Sequence, residues 1–119
     1  MFIVNQSNNI CVEVQSILIK SSYPDAVLYE ASTKRLSIMS NSYNYGSTSN
    51  AELAADKVVK DYLQNKSKIY NIYVNDSIFA TYDTEEKGKY VFNRIIAGLR
   101  RKETLLDLSS LDIPVEVLL

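Results

Sequence analysis

Histidine and tryptophan are absent from this chain of 119 residues, and cysteine occurs once, at Cys11. The absence of histidine removes the most common general base, the most common metal ligand and the Ser–His and Cys–His nucleophile pairs. One cysteine cannot form an intrachain disulfide, and a zinc site built mostly from carboxylates is rare. We therefore predict a protein that binds a partner and is not an enzyme, with no metal and no cofactor. Cys11 itself, in a strand-like run, is predicted to be half-buried.

Other absences exclude further classes of function. Glycine occurs only at Gly46, Gly88 and Gly98, so no glycine-rich phosphate loop is present. No apolar run approaches the ~20 residues that span a bilayer, and residues 1–5 do not read as a signal peptide. Proteins that coat DNA or RNA are usually basic, whereas this chain has a formal net charge of −1. We expect a cytoplasmic protein that binds neither membranes nor nucleic acids in general.

The patterns that are present predict a single α+β domain over residues 1–119. In the first half, alternating apolar residues predict four short strands, the last two joined by a hairpin turn at residues 32–35. These strands cover residues 1–5, 10–19, 27–31 and 36–39. The polar residues 40–50, which include Tyr43 and Tyr45, predict an exposed and mobile loop. Those two rings are predicted either to close over a ligand or to lie on the surface.

The second half predicts two amphipathic helices separated by a hairpin. Ser49 and Glu52 form a capping box for the first helix, which buries a stripe from Ala51 to Leu63. Residues 69–75 and 78–82 form the hairpin, and the second helix begins near Asp83 or Thr84. The expected fold is an antiparallel sheet of about six strands with two main helices on one face and a helical or extended C-terminal tail.

The apolar residues 115–119 predict contact with another surface, because chain ends are usually polar and frayed unless something holds them. Their predicted partner is either the sheet of their own chain or a neighbouring subunit. Of these two, we favour the neighbouring subunit, in a homodimer or a higher homo-oligomer.

The second helix carries a candidate ligand-binding face. Its residues recur at helical spacing and are Tyr90, Asn93, Arg94, Ala97 and Arg101, and Arg100 follows Asn93 by seven residues. Arginine suits phosphate, and asparagine offers a donor and an acceptor to a base or ribose. The alternative is that the basic residues only stabilise the C-terminal end of the helix. Tyrosine and phenylalanine on the preceding hairpin, including Phe79 and Tyr82, either stack bases or fill half-buried sheet positions.

Two stretches resemble a known family. Residues 1–7 resemble the start of many small phage proteins, and residues 72–92 combine a strand, a Tyr-x-Thr-Glu-Glu helix start and an amphipathic helix. Together with the length and the order of elements, they resemble the first-type Thoeris anti-defence proteins of phages. The resemblance implies an oligomer that sequesters a cyclic ADP-ribose isomer, or a cyclic oligonucleotide, without cleaving it.

The resemblance also implies roles for individual residues. Phe79 or Tyr82 would stack adenine, Asn93 would make a polar contact, and Arg100 or Arg101 would hold phosphate. Two other functions stay open. One is a phage inhibitor that blocks a host defence protein directly, as anti-CRISPR proteins do, and the other is an accessory structural protein of the phage.

Overall fold

The computed structural model describes residues 1–114, which form three α-helices, six strands and a short 3₁₀ helix at Ser42–Tyr45. The class is therefore α+β, as predicted. In chain order the elements are β1 (Phe2–Val4), β2 (Cys11–Glu13), β3 (Ile17–Ser22), α1 (Asp25–Ser40), α2 (Thr48–Gln64), β4 (Ile69–Val74), β5 (Ser77–Tyr82), α3 (Glu85–Arg100) and β6 (Leu105–Asp107).

Contacts along the chain separate two compact units. The first combines Met1–Ser22 with the chain from Lys68 onward, and the second is Tyr23–Ser67. The assignment of a single domain over residues 1–119 stays a prediction.

The first unit contains all six strands, in two sheets of three rather than in one sheet. One sheet has the order β3-β4-β5 and is antiparallel, and α3 packs against it. The other has the order β2-β1-β6, in which β1 runs antiparallel to β2 and parallel to β6. Large side chains from both sheets and from α3 share one core, of which Ile3, Ile72, Val74, Val91 and Ile95 are completely buried.

One asparagine, Asn75, holds the β4–β5 turn of this unit and a loop packed beside it. Asn75 and Asp76 form the β4–β5 turn with φ values of 50° and 67°, a left-handed conformation that asparagine and aspartate tolerate. The Asn75 Oδ1 accepts from the backbone N–H groups of Gln15 (2.8 Å) and Ser16 (3.1 Å), and its Nδ2 donates to the carbonyl of Glu13 (2.8 Å). One side chain thereby satisfies three backbone groups about 60 residues away in sequence.

The second unit is a pair of helices with an alanine-lined contact. Its buried apolar residues are Ala31 on α1 and Ala51 and Ala55 on α2. Small side chains let two helix backbones approach closely. Polar contacts also link the helices, because Arg35 forms an ion pair with Asp56 and the ammonium of Lys34 lies 5.1 Å from the centre of the Tyr62 ring.

The two strands predicted at residues 27–31 and 36–39 are wrong, since α1 spans both of them and the supposed turn. The residues between them carry no glycine, asparagine or aspartate, which are the residues that tight hairpins favour. Large apolar residues lie on two sides of α1: Ile38 is half-buried, whereas Leu28, Tyr29 and Leu36 are exposed. The helical period is therefore obscured in the sequence.

Smaller corrections concern boundaries and exposure. Residues 40–50 are not one loop, because they contain the 3₁₀ helix and the start of α2, whose N-cap is Ser47 and not Ser49. The strand predicted at residues 10–19 is interrupted between β2 and β3. Cys11 is exposed, since β2 is an edge strand. The predicted hairpin and second helix are confirmed as β4, β5 and α3, and the predicted apolar tail at residues 115–119 lies outside the described residues.

Candidate functional site

Helix α3 begins with strong local signals. Thr84 is the N-cap, and its Oγ1 accepts from the backbone N–H of Lys87 at 3.2 Å. Glu85 and Glu86 lie in the first turn, where the helix dipole favours acidic residues. Hydrogen bonding from Lys87 lowers the pKa of the neighbouring Asp83. These interactions fix where the helix starts and so fix which side each later residue occupies.

The predicted ligand-binding face of α3 is only partly open. Asn93 is exposed, whereas Tyr90 is half-buried and packs against the core. Arg94 is also half-buried, and its Nη2 lies 3.0 Å from Oε2 of Glu103 in an ion pair. Arg94 is therefore already engaged with a carboxylate, which reduces its capacity to bind a ligand phosphate.

Gly98 allows this ion pair to lie close to the helix. A Cβ atom added at Gly98 would lie 3.0 Å from Sδ of Met1, 3.1 Å from Oε2 of Glu103 and 3.3 Å from Nη1 of Arg94. Nη1 of Arg94 is buried and has no hydrogen-bond partner among residues 1–114. The guanidinium thus binds Oε2 of Glu103 through Nη2, while its Nη1 is buried.

The chain reverses sharply after α3. Lys102 adopts a left-handed conformation with φ of 56°. Its N–H donates to the carbonyl of Leu99 (3.2 Å), and the N–H of Glu103 donates to the carbonyl of Gly98 (3.0 Å), which together make a Schellman motif. The reversal brings Glu103 back to Arg94. It also places Thr104 beside β1, where its carbonyl accepts from the N–H of Phe2 at 2.9 Å.

Three consecutive cations occupy this C-terminal turn. Arg100, Arg101 and Lys102 are all exposed, and none forms an ion pair with a carboxylate of residues 1–114. Their positive charges interact favourably with the negative end of the helix dipole, and each such interaction stabilises the helix by about 0.3–1 kcal/mol. They also leave a local positive surface on a chain whose net charge is −1.

A cavity of about 350 Å³ lies beside this turn and is lined by Met1, Phe2, Leu99, Lys102, Glu103 and Thr104. The Phe2 side chain is 50 % exposed because Ile3, its neighbour in β1, faces the core. Phe2 and the cationic residue Lys102 therefore line the same cavity, together with Glu103, whose carboxylate pairs with Arg94. Its volume lies at the lower end of the range for small-ligand sites.

The two aromatic residues predicted to stack a base lie elsewhere. Phe79 is 4 % exposed and Tyr82 is 8 % exposed, and both belong to the core of the first unit. Burial also raises the pKa of the Tyr82 hydroxyl. Neither ring offers a face to a ligand in this structure.

The structure therefore brings together only part of the predicted set. Arg100 and Arg101 lie together at the end of α3, Asn93 lies about two turns earlier, and Tyr90 and Arg94 are partly covered. Phe2 and Lys102, which line the cavity of about 350 Å³, are not among the residues predicted from the sequence to bind a ligand. A signal for Phe2 existed, because an aromatic residue alternating with buried Ile3 in a short strand must face outward.

A larger cavity of about 780 Å³ lies in the second unit. Its rim carries Asp56 and Asp61, which disfavour an anionic ligand, beside the single ammonium of Lys60. No cluster of three or more His, Cys, Asp or Glu residues suited to a metal ion occurs in residues 1–114. Over the same residues, no helix is both long and apolar enough to cross a membrane.

Comparison of the chain with protein-family models, with curated proteins and with solved structures gives no match.

Proposed function

We propose that this chain is a phage anti-defence protein that binds a nucleotide-derived immune signal and sequesters it without cleaving it. The observation that carries the proposal is that Phe2 and Lys102 line one cavity of about 350 Å³. Aromatic stacking on a base contributes roughly 1–3 kcal/mol, and a cation nearby suits a phosphate. The resemblance to first-type Thoeris anti-defence proteins supplies the expected ligand class, cyclic ADP-ribose isomers or cyclic oligonucleotides.

The site within this proposal differs from the one expected from the sequence. Phe2 takes the stacking role in place of Phe79 and Tyr82, because it is the exposed ring beside the cations. Lys102, with Arg100 and Arg101 behind it, supplies the positive charge for the phosphates. The proposal involves neither catalysis nor general binding of DNA or RNA, and it places the protein in the cytoplasm of an infected bacterium.

The test is the melting temperature of the purified protein with a panel of ADP-ribose, cyclic ADP-ribose isomers and cyclic dinucleotides. A ligand at one hundred times its dissociation constant adds about 2.7 kcal/mol of stability, which is several degrees for a chain of this size. We expect Phe2→Ala and Lys102→Ala to remove most of that shift. Leu105→Ala is the control, because Leu105 pairs with Phe2 in the sheet and is 55 % exposed, yet lies outside the cavity.

Two results would contradict the proposal. One is a melting temperature that no ligand in the panel changes, and the other is a shift that Phe2→Ala and Lys102→Ala leave intact. A ligand recovered chemically changed after heat release would instead indicate an enzyme. An unresponsive panel favours the second candidate, an inhibitor that blocks a host defence protein. The observation behind that candidate is the exposed apolar surface of α1 at Leu28, Tyr29 and Leu36.

A further inference from the structure

The edge of β3 is an unpaired row of backbone hydrogen-bonding groups. The N–H of Asn75 bonds to the carbonyl of Ser16, and the β3–β4 register continues that pair through Leu18↔Tyr73 and Lys20↔Asn71. Hydrogen-bonded residues alternate along an antiparallel strand, so Ile17, Ile19 and Ser21 direct their N–H and C=O groups away from β4. Within residues 1–114 these groups have no hydrogen-bond partner.

The opposite edge of the same sheet is covered. The backbone N–H of Gln6 donates to the carbonyl of Phe79 at 2.8 Å, and the Gln6 Oε1 accepts from the N–H of Thr81 at 2.9 Å. Edges β2 and β6 of the other sheet are only three residues long, whereas β3 has six residues and contains neither proline nor a bulge. Proteins usually shorten, bend or cover such edges, because another strand can pair with them.

We propose that β3 pairs antiparallel with β3 of a second copy of this chain, about a two-fold axis at Ile19. This register joins all the outward-facing groups, because Ile19 meets Ile19 of the second copy and Ile17 meets Ser21. This register also avoids charge repulsion at Lys20, the single charged residue of β3. Lys20 faces Leu18 of the second copy and not Lys20, so no like charges lie directly opposite each other.

A cavity beside the β3 edge also favours a second copy of the chain as the partner of this strand. A cavity of about 170 Å³ lies between β3 and α3 and is lined by Ile19, Ser21, Tyr70, Glu85 and Lys89. Residues directly opposite each other in a sheet point to the same face. The side chain of Ile17 from the second copy, which pairs with Ser21, would therefore enter that cavity. The proposal of this dimer rests neither on the ligand proposed above nor on residues 115–119.

The test measures the dimer dissociation constant by sedimentation for paired variants at position 18. Leu18→Lys places an ammonium opposite Lys20 of the second copy, and Leu18→Glu places a carboxylate there. Each contact occurs twice, so we expect the first to weaken and the second to tighten the dimer by roughly 2- to 30-fold. Ile78→Lys is the control, because Ile78 lies in the same cross-strand row but on the far strand and is 52 % exposed.

Amide hydrogen exchange gives a second measurement on the unmodified protein. We expect the N–H groups of Ile17, Ile19 and Ser21 to exchange more slowly as the concentration rises through the dissociation constant. A wild-type chain that stays monomeric at 100-micromolar concentrations, on the order of the weakest useful dimers, would overturn the proposal. So would Lys and Glu variants that shift the equilibrium in the same direction, or edge amides that exchange rapidly in a dimer.

Discussion

The two compact units bury different kinds of side chain. In the strand-containing unit, the fully buried residues include Ile3, Ile72 and Ile95, which are large. In the α1–α2 unit, the buried apolar residues are alanines, and large ones such as Leu36 and Leu53 are 68 % and 70 % exposed. Burial of apolar area is the main favourable term in folding, at roughly 25 cal/mol per Å². The first unit therefore gains most of its stability from side-chain packing, and the second gains more from close helix contact and polar pairs.

Both helices of the second unit expose large apolar residues among charged ones. On α1 these are Leu28, Tyr29 and Leu36, and on α2 they are Leu53 and Val58. An apolar surface of this kind usually marks contact with a partner. We therefore expect the helical unit to gain less stability from its own packing than the sheet unit does.

The largest effect is expected from the same substitution made in each unit. Ile72→Ala opens a cavity in the sheet unit and should cost about 2–5 kcal/mol of unfolding free energy. Ile38→Ala on α1 removes a half-buried side chain and should cost less than half as much. Urea unfolding followed by circular dichroism measures both values. Equal costs would show that the helical unit depends on large side chains as strongly as the sheet unit does.

An intermediate effect is expected at Asn75. Asn75→Ala removes the side chain that satisfies the loop before β3 and places alanine at a φ of 50°, so we expect a loss of about 2–3 kcal/mol. Asn75→Gly removes the same hydrogen bonds but tolerates the left-handed backbone, so it should lose less. Thermal unfolding of the two variants separates the two contributions. If they melt together, the backbone conformation contributes nothing measurable at this turn.

The strength of local signals decided which elements the sequence could predict. The β4–β5 hairpin and α3 were predicted, because Asn75-Asp76 favours a tight turn and Thr84 with Glu85 favours a helix start. Helix α1 was missed because its apolar residues lie on two sides. Strand β6 was missed for another reason, since it pairs with β1 about 100 residues away and no local pattern specifies that contact.

Of the residues predicted to bind a ligand, the cations at the end of α3 are exposed, whereas the aromatic residues Phe79 and Tyr82 are buried. Exposure of Arg100 and Arg101 follows from their position at the helix end. Phe79 is buried because the β4–β5 register shifts between Ile72 and Tyr73, which leaves Phe79 and Ala80 both buried in consecutive positions. Alternation along β5 is broken there, and a bulge of this kind is set by the partner strand. Alternation with buried Ile3 indicates that Phe2 faces outward, but its position beside the end of α3 depends on the β1–β6 pairing, which a single strand cannot reveal.

The smallest effect is expected at the two residues with a left-handed backbone conformation that follow a helix, one in each unit. Gly46 follows the 3₁₀ helix with φ of 82°, and Lys102 follows α3 with φ of 56°. Glycine adopts this conformation without strain, whereas a residue with a side chain loses about 1 kcal/mol. We expect Lys102→Gly to raise the unfolding free energy by about that amount, Lys102→Ala to leave it nearly unchanged, and Gly46→Ala to lower it. Calorimetric melting measures all three. A Lys102→Gly variant no more stable than Lys102→Ala would mean that the turn after α3 is unstrained, and that the Lys102 side chain is kept there at no conformational cost.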